Sequence, residues 1–373
     1  MRIAVNAAIL DERPTGLGVY TSNIIQELAK AGAEMRVFTS APATVGVVPL
    51  RRIAKRVRPS RGAYGHFNRI AWSQLVFPYR AKHEKADVAL VTTPTEGTVF
   101  PFVPQVVIIH DLLPLKFPAE YPRLRIFFEK VLPRILRKSA GVIACSMSTK
   151  KDCVESYGLD PDRVYVVHEG FSSAYFPGGR ELAVKRVRER HGMEEYFLYV
   201  GSILPHKNVA GLLDAFALAS KKVSSSLVIA GRKNRPFFPE LAKRADGLGV
   251  RDRVRFLDYV PAGELPDLYR AASAFVFPSL YEGFGLQILE AMASGTPVIS
   301  SRLSSLPEVA GDAACLVDPR DSGELGGAMA RVISDHAWRK ELIGKGRERA
   351  KGFSWEKAAK ETLAVLEKAA LKS

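Results

Sequence analysis

Two carboxylates separated by seven residues, Glu282 and Glu290, mark the segment of this sequence best suited to chemistry. Glu282 sits in the loop after the apolar run Ala274–Phe277, and Glu290 within the helical stretch Leu286–Ala293, so the pair can grip different hydroxyl-bearing parts of one ligand. Gly283 and Gly285 let the backbone approach that ligand closely. The amides from Gly283 through Phe284 and Gly285 to Leu286 then offer free N–H groups to anionic oxygens at the helix start. Lys207, in Gly201-Ser-Ile-Leu-Pro-His-Lys207, follows a strand, where its ammonium would meet a diphosphate. Arg232 closes the next strand in Val228-Ile-Ala-Gly-Arg232, and His110 stands at the tip of Val106–Ile109. Gly16 and Gly18, in Thr15-Gly-Leu-Gly18, precede the first long helix. They do not make a dinucleotide fingerprint, because the third glycine and the ribose-binding acid of the next strand are absent. Asp160-Pro-Asp162 has the spacing of a metal grip but precedes a strand, and reads as a structural turn.

The elements that must position these residues are short β-branched runs. They fall at Ile3–Val5, Met35–Thr39, Val88–Thr92, Val106–Ile109, Gly141–Ala144 and Val164–Val167. A second set falls at Phe197–Val200, Leu227–Ala230, Val254–Leu257, Ala274–Phe277, Pro297–Ile299 and Cys315–Val317. Continuous rather than alternating apolar runs fit strands covered on both faces. Helical stretches such as Val19–Ala31, Val209–Lys221 and Leu286–Ala293 lie between them, so the pattern predicts an α/β chain with two doubly wound parallel sheets. The turn-rich stretch Phe171–Gly179 marks the junction. The domains expected are 1–170, 171–352, and a C-terminal helix over 353–373 that returns to the first domain, with a cleft between two facing domains. Chemistry belongs on loops beyond the C-terminal strand ends.

The segment around Glu282 and Glu290 closely resembles the Glu-x7-Glu signature of retaining glycosyltransferases of family 4, which have the GT-B fold of two facing Rossmann-like domains. Further matches occur at Tyr199-Val-Gly-Ser-Ile-Leu-Pro-His-Lys207-Asn, Val228-Ile-Ala-Gly-Arg232 and Ser304-Ser-Leu-Pro-Glu308-Val. The resemblance implies that Glu290 binds the ribose of a nucleotide and Glu282 the transferred sugar, while the Gly283–Leu286 amides hold sugar and phosphate. It implies that Lys207 stabilises the departing nucleoside diphosphate and that His110 binds the donor sugar rather than acting as a general base. Gly16 and Gly18 would lie near the donor phosphates or the acceptor. One departure stands out: the family's second cation, usually Arg directly after the glycine, is here Ser202, and Arg232 or Lys233 is the candidate to replace it. The implied reaction moves a hexose from a nucleotide-sugar to a hydroxyl of a glycan or lipid-linked acceptor in surface polysaccharide synthesis, with retention and without a metal or cofactor. The wording of the motifs is similar to bacterial O-antigen and capsule mannosyltransferases, which points to GDP-mannose.

Composition sets the outer bounds. The 373 residues are 47% hydrophobic and 25% charged, a globular composition that excludes coiled coil and disorder. Three cysteines without a CxxC pair, and no histidines at metal-ligand spacing, argue against a disulfide framework or zinc site. The apolar start is cut off by Asp11-Glu12, too short for a signal peptide, and no stretch reaches the roughly 20 apolar residues of a membrane span. A cytoplasmic protein is expected. The net charge of +15 suits phosphorylated small molecules, an anionic membrane or nucleic acid. A nucleic-acid-binding protein is the rival from another class, but no recognition module accompanies the charge, so no nucleic-acid partner is expected. An inverting GT-B transferase or a GT-B epimerase is the rival among enzymes. The run Arg51–Arg61 holds six cations and no acid, with Tyr64, Phe67 and Trp72 close behind. Together with the family's lipid-linked acceptors, it points to peripheral contact at the inner face of the cytoplasmic membrane.

Overall fold

Strand and helix alternate along the chain in two series, and each series closes into its own parallel sheet. The structure is a computed structural model and describes every residue except 13, 14, 42–45, 47, 177, 234, 235, 372 and 373. The chain divides into Met1–Gly170 joined by the C-terminal segment from Ser354, and Phe171–Phe353.

The first sheet contains β1 (Arg2–Asn6), β2 (Glu34–Thr39), β3 (Leu50–Arg52), β4 (Val88–Val91), β5 (Gln105–Ile109), β6 (Gly141–Ala144) and β7 (Val164–Val166). Its order is β3-β2-β1-β4-β5-β6-β7, with every neighbouring pair parallel. Because side chains alternate across a strand, both faces need cover, and β5 shows it. Val106 and Ile108 enter one core with Ile3 and Val5, while Val107 and Ile109 enter the other with Ala4. The first core is capped by the helix Gly16–Lys30 and by the C-terminal helix Trp355–Ala370. Trp355, Ala358 and Leu366 of the latter are buried there. Ser354 starts that helix by accepting the Lys357 N–H at 3.1 Å.

The second sheet contains β8 (Tyr196–Val200), β9 (Ser226–Ala230), β10 (Val254–Leu257), β11 (Ala274–Phe277), β12 (Val298–Ser301) and β13 (Cys315–Val317). Its order, β10-β9-β8-β11-β12-β13, repeats the same winding. In both sheets the direction of winding reverses beside the first strand, between β1 and β4 and between β8 and β11. Such switch points open a crevice at the C-terminal strand ends, where ligands bind in folds of this type.

Two local differences from the sequence reading have plain causes. The basic run Arg51–Arg61 opens on a strand that the apolar runs do not signal. It begins as the edge strand β3, paired with β2, and Arg51 makes two hydrogen bonds to the Glu84 carboxylate. Gly16 and Gly18 do not lie ahead of the first helix but form its first turn, after the extended Thr15.

Candidate functional site

In the second unit, the loops after β8 and β11 come together at the switch point. Pro205–Lys207 is a single helical turn, and its His206 carbonyl accepts the Leu280 N–H at 2.8 Å, tying the two loops. Lys207 Nζ consequently reaches both oxygens of Glu282, at 2.6 and 2.7 Å. Glu282 is only 8% exposed, so the ammonium is its counter-charge rather than a passing surface contact. Its loop is pinned by serines from the loop after β12. Ser304 and Ser305 hydroxyls donate to the Glu282 carbonyl at 2.6 and 3.0 Å, and Ser305 also donates to the Phe284 carbonyl at 2.7 Å. In sequence, Ser304-Ser-Leu-Pro-Glu308 is a match without a role; holding the Glu282 loop is that role.

The helix Leu286–Ala293 begins after Gly285, whose φ of +105° strains any residue with a Cβ. A Cβ there would also stand 2.6 Å from Leu306 Cδ2. The N-cap residue Gly285 has no side chain with which to cap this helix start. Glu290 lies in its second turn, where the Tyr269 hydroxyl donates to Oε2 at 2.9 Å and Tyr175 supplies a second phenol. Burial pushes the Glu290 carboxyl up to about 7, against the lowering effect of the Tyr269 and Tyr175 hydrogen bonds. Burial also raises both phenols, so each stays a donor. Neither tyrosine is signalled by the motif. Tyr175 comes from the stretch read as a junction, and Tyr269 from the helix Leu265–Ala271.

Ser202 is half-buried and follows Gly201, the first residue past β8, and Arg232 is exposed and follows Gly231, the first residue past β9. Gly231 is pressed against Gly201: a Cβ on it would fall 1.8 Å from the Gly201 carbonyl oxygen. The position vacated by arginine at 202 and the guanidinium at 232 therefore belong to adjoining loops.

In the first unit, His110 directly follows β5 and is 7% exposed. Its Nε2 lies 3.0 Å from the Thr92 carbonyl and its Nδ1 2.9 Å from Glu169 Oε1. A carbonyl only accepts, so Nε2 carries a hydrogen, and the imidazolium form satisfies the carboxylate on the other side as well. Burial alone would lower the His110 pKa. The Glu169 hydrogen bond and charge outweigh it, and the pKa is raised. A ring so held offers no lone pair to a substrate proton, which suits a binding or orienting role over general base catalysis. Tyr20 meets the ring edge-on with centroids 4.5 Å apart. His110 and Leu17, between the two glycines, line one cavity of about 230 Å³ with Ile9, Arg69, Thr93 and Tyr121. Asp160 closes the turn before β7 by accepting the Asp162 N–H at 3.0 Å.

Behind this cavity Glu96 is fully buried, its nearest cation Arg69 Nε at 4.0 Å. Burial raises its carboxyl to about 8, which Arg69 only partly offsets. Between the ordinary carboxyl value of 4.5 and about 8, the folded chain holds a proton the unfolded chain has lost, so stability falls as pH rises through that window. Glu96→Gln should remove the decline. Denaturant midpoints at about pH 5 and about pH 9 should diverge between wild type and variant by the equivalent of about 2–4 kcal/mol, since each tenfold change in proton affinity corresponds to roughly 1.4 kcal/mol. Parallel curves would mean Glu96 is not held neutral.

Comparison with known proteins decides the family. Residues 14–175 match the family model described as Glycosyltransferase Family 4, and residues 183–349 that described as Glycosyl transferases group 1. O-antigen chain mannosyltransferase B of Escherichia coli is 33% identical over 259 residues, 68% of each chain. The chain belongs to glycosyltransferase family 4. This family 4 transferase is also 29% identical to the D-inositol 3-phosphate glycosyltransferase of Corynebacterium glutamicum (strain R), over 92% of this chain and 89% of that one. Among solved structures, Anabaena Alr3699/HepE in complex with UDP and glucose has a TM-score of 0.77 at 18% identity, covering 98% of this chain and 99% of that one. The two parallel sheets of the transferase are those of the GT-B fold, each a Rossmann-like domain.

Proposed function

We propose that this glycosyltransferase moves mannose from GDP-mannose, with retention at the anomeric carbon, to a hydroxyl of a glycan or lipid-linked acceptor in surface polysaccharide synthesis. The observation that carries the reading is the Lys207–Glu282 pair at the second switch point, with Glu290 on the adjoining helix. An ammonium and a carboxylate already in contact can part toward a diphosphate and a sugar hydroxyl. Glu290 accepts from the ribose, the amides of Gly283, Phe284, Gly285 and Leu286 hold phosphate and sugar oxygens, and Arg232 supplies the cation missing at Ser202. Fixed cations and helix-terminal amides stabilise the charge that develops as the diphosphate departs. No carboxylate at this site is given a nucleophile's part, so attack on the same face as the departing diphosphate is the favoured route to retention. His110 and the Gly16–Gly18 turn serve sugar and acceptor in the first domain. The mannosyl and GDP assignment leans on the motif wording and on mannosyltransferase relatives. A thermal-shift panel of GDP-, UDP-, ADP- and dTDP-sugars tests it: GDP-mannose should give the largest stabilisation, and a larger shift with a UDP-sugar would overturn the donor.

In this proposal transfer needs no divalent metal: the Lys207 ammonium, now paired with Glu282, serves as the counter-charge to the diphosphate, and the Asp160 carboxylate is engaged in a turn. EDTA should leave the rate within about twofold. Loss of activity on chelation, restored by magnesium or manganese, would refute the leaving-group role of Lys207. A lipid-linked acceptor places the working enzyme at the inner face of the cytoplasmic membrane. No helix among the described residues is long and apolar enough to cross one.

A further inference from the structure

Between Glu34 and Glu84 the sequence contains no Asp or Glu and ten Lys or Arg. The structure divides these cations into two sets. Arg36 and Arg51 are held by Glu84, Arg58 by Glu12 and Arg69 by Glu96, while Arg52, Lys55, Arg56, Arg61, Arg80 and Lys82 are exposed. The same stretch forms a continuous helical run: Gly62–Ala71, a wider turn Trp72–Val76, and Phe77–His83. Its inward face recurs every four residues at Gly65, Arg69, Ser73, Phe77 and Ala81, all buried. The outward face carries Tyr64, Phe67, Leu75 and Tyr79, which are 61–77% exposed. Alongside runs the loop after β4. Gln74 bonds the Gly97 carbonyl and the Val99 N–H at 2.6 and 3.0 Å, and Lys82 Nζ lies 5.8 Å from the Phe102 ring. That loop exposes Phe100 and Phe102.

Of seventeen exposed large hydrophobic side chains among the described residues, seven fall between residues 64 and 102, about a tenth of the chain. Scattered exposed apolar residues are ordinary, but a cluster rimmed by one sign of charge marks an interaction surface.

We propose that this face, formed by exposed side chains of residues 55–83 and 97–104 of the first domain, docks on an anionic lipid surface. Phe67, Leu75, Phe100 and Phe102 enter the headgroup region, and Lys55, Arg56, Arg61, Arg80 and Lys82 lie against the lipid phosphates. Charge complementarity selects an anionic partner, and the aliphatic and phenylalanine side chains select lipid over nucleic acid. A bilayer interface accommodates Leu75 and Val76, whereas a phosphodiester backbone with stacked bases has no use for them. The cations engaged with Glu84 and Glu12 are not part of the surface, so the docking element is the helical run and its neighbouring loop rather than Arg51–Arg61 as a whole. The inference builds on the membrane-borne acceptor proposed above. Its test reads lipid binding without any sugar transfer, so the two can fail separately.

The experiment is sedimentation of the full chain with vesicles of phosphatidylcholine, with and without about 30% phosphatidylglycerol, at about 50 mM and about 300 mM salt. Binding should require phosphatidylglycerol and weaken with salt. Phe67→Ser with Leu75→Ser, and separately Phe100→Ser with Phe102→Ser, should each weaken binding about tenfold or more. Lys55→Ser, Arg56→Ser and Arg61→Ser together should do the same at low salt. All these variants should retain the wild-type thermal midpoint and its shift with nucleotide-sugar, since every substituted side chain is exposed. Phe100→Trp provides an independent reading, a blue-shifted emission quenched by brominated lipid. The proposal is overturned if wild-type chain ignores anionic vesicles at low salt, or if the apolar variants bind as wild type does. It is also overturned if a DNA duplex binds as tightly as the vesicles and is indifferent to the apolar substitutions.

Discussion

Replacing Lys207 with alanine should lower the rate of sugar transfer about 100- to 1000-fold, the usual cost of removing one preorganised group that stabilises charge in the transition state. Two effects add in this variant. The departing diphosphate loses a cation, and Glu282, only 8% exposed, loses the ammonium that both its oxygens now accept from. Removing one partner of a buried pair is costlier than removing both. The double variant Lys207→Ala with Glu282→Gln should therefore be less impaired than the sum of the single changes predicts. Glu282→Gln alone should leave nucleoside diphosphate binding nearly intact while reducing transfer, because its oxygens are assigned to the sugar. Single-turnover rates beside calorimetric affinities separate these cases. A Lys207→Ala enzyme within about threefold of wild type would remove Lys207 from the leaving-group site.

Glu290→Gln should weaken nucleoside diphosphate binding about 10- to 150-fold, corresponding to about 1.5–3 kcal/mol for a lost charge-assisted hydrogen bond. The wild-type affinity should also depend on pH in a defined sense. Burial holds the Glu290 carboxyl at about 7, so below that pH the unliganded site is protonated and must give up the proton before accepting from two ribose hydroxyls. Binding should strengthen as pH rises toward about 7, by up to about tenfold for each pH unit below it, and level off above. Glu290→Gln should lose that slope, and Tyr269→Phe should move it to higher pH by deleting one donor to the carboxylate. Affinity that is flat across the range in wild type would take Glu290 out of the ribose site.

The residues of the second switch point are legible in sequence because they follow apolar runs that can only be covered strands. Once β8 and β11 are recognised, Lys207 and Glu282 fall on adjacent loops. Their direct contact is not legible, since seventy-four residues separate them and each reads as serving its own part of the ligand. The phenols on Glu290 are hidden for the same reason: Tyr175 looks like linker and Tyr269 like an ordinary amphipathic-helix position. Glu169, whose carboxylate meets His110 Nδ1 and raises the pKa of the ring, becomes visible only when β5, β6 and β7 are known to be neighbours. The strand β3 escapes because Leu-Arg-Arg has no apolar run; an edge strand pairs through its backbone, and Arg51 carries its head to Glu84. Glu96, in Pro94-Thr-Glu96, reads as a polar turn, whereas the fold buries it completely.

The central claim is that the second domain's switch point holds an α-linked nucleotide-sugar and releases its sugar with retention. Following the anomeric proton signals by NMR as the protein consumes the donor selected by the thermal-shift panel tests this most directly. The first product to appear, whether transferred or hydrolysed, should carry the sugar in the α configuration, and its appearance should collapse in Lys207→Ala. A β product appearing first, before any mutarotation, would contradict the account.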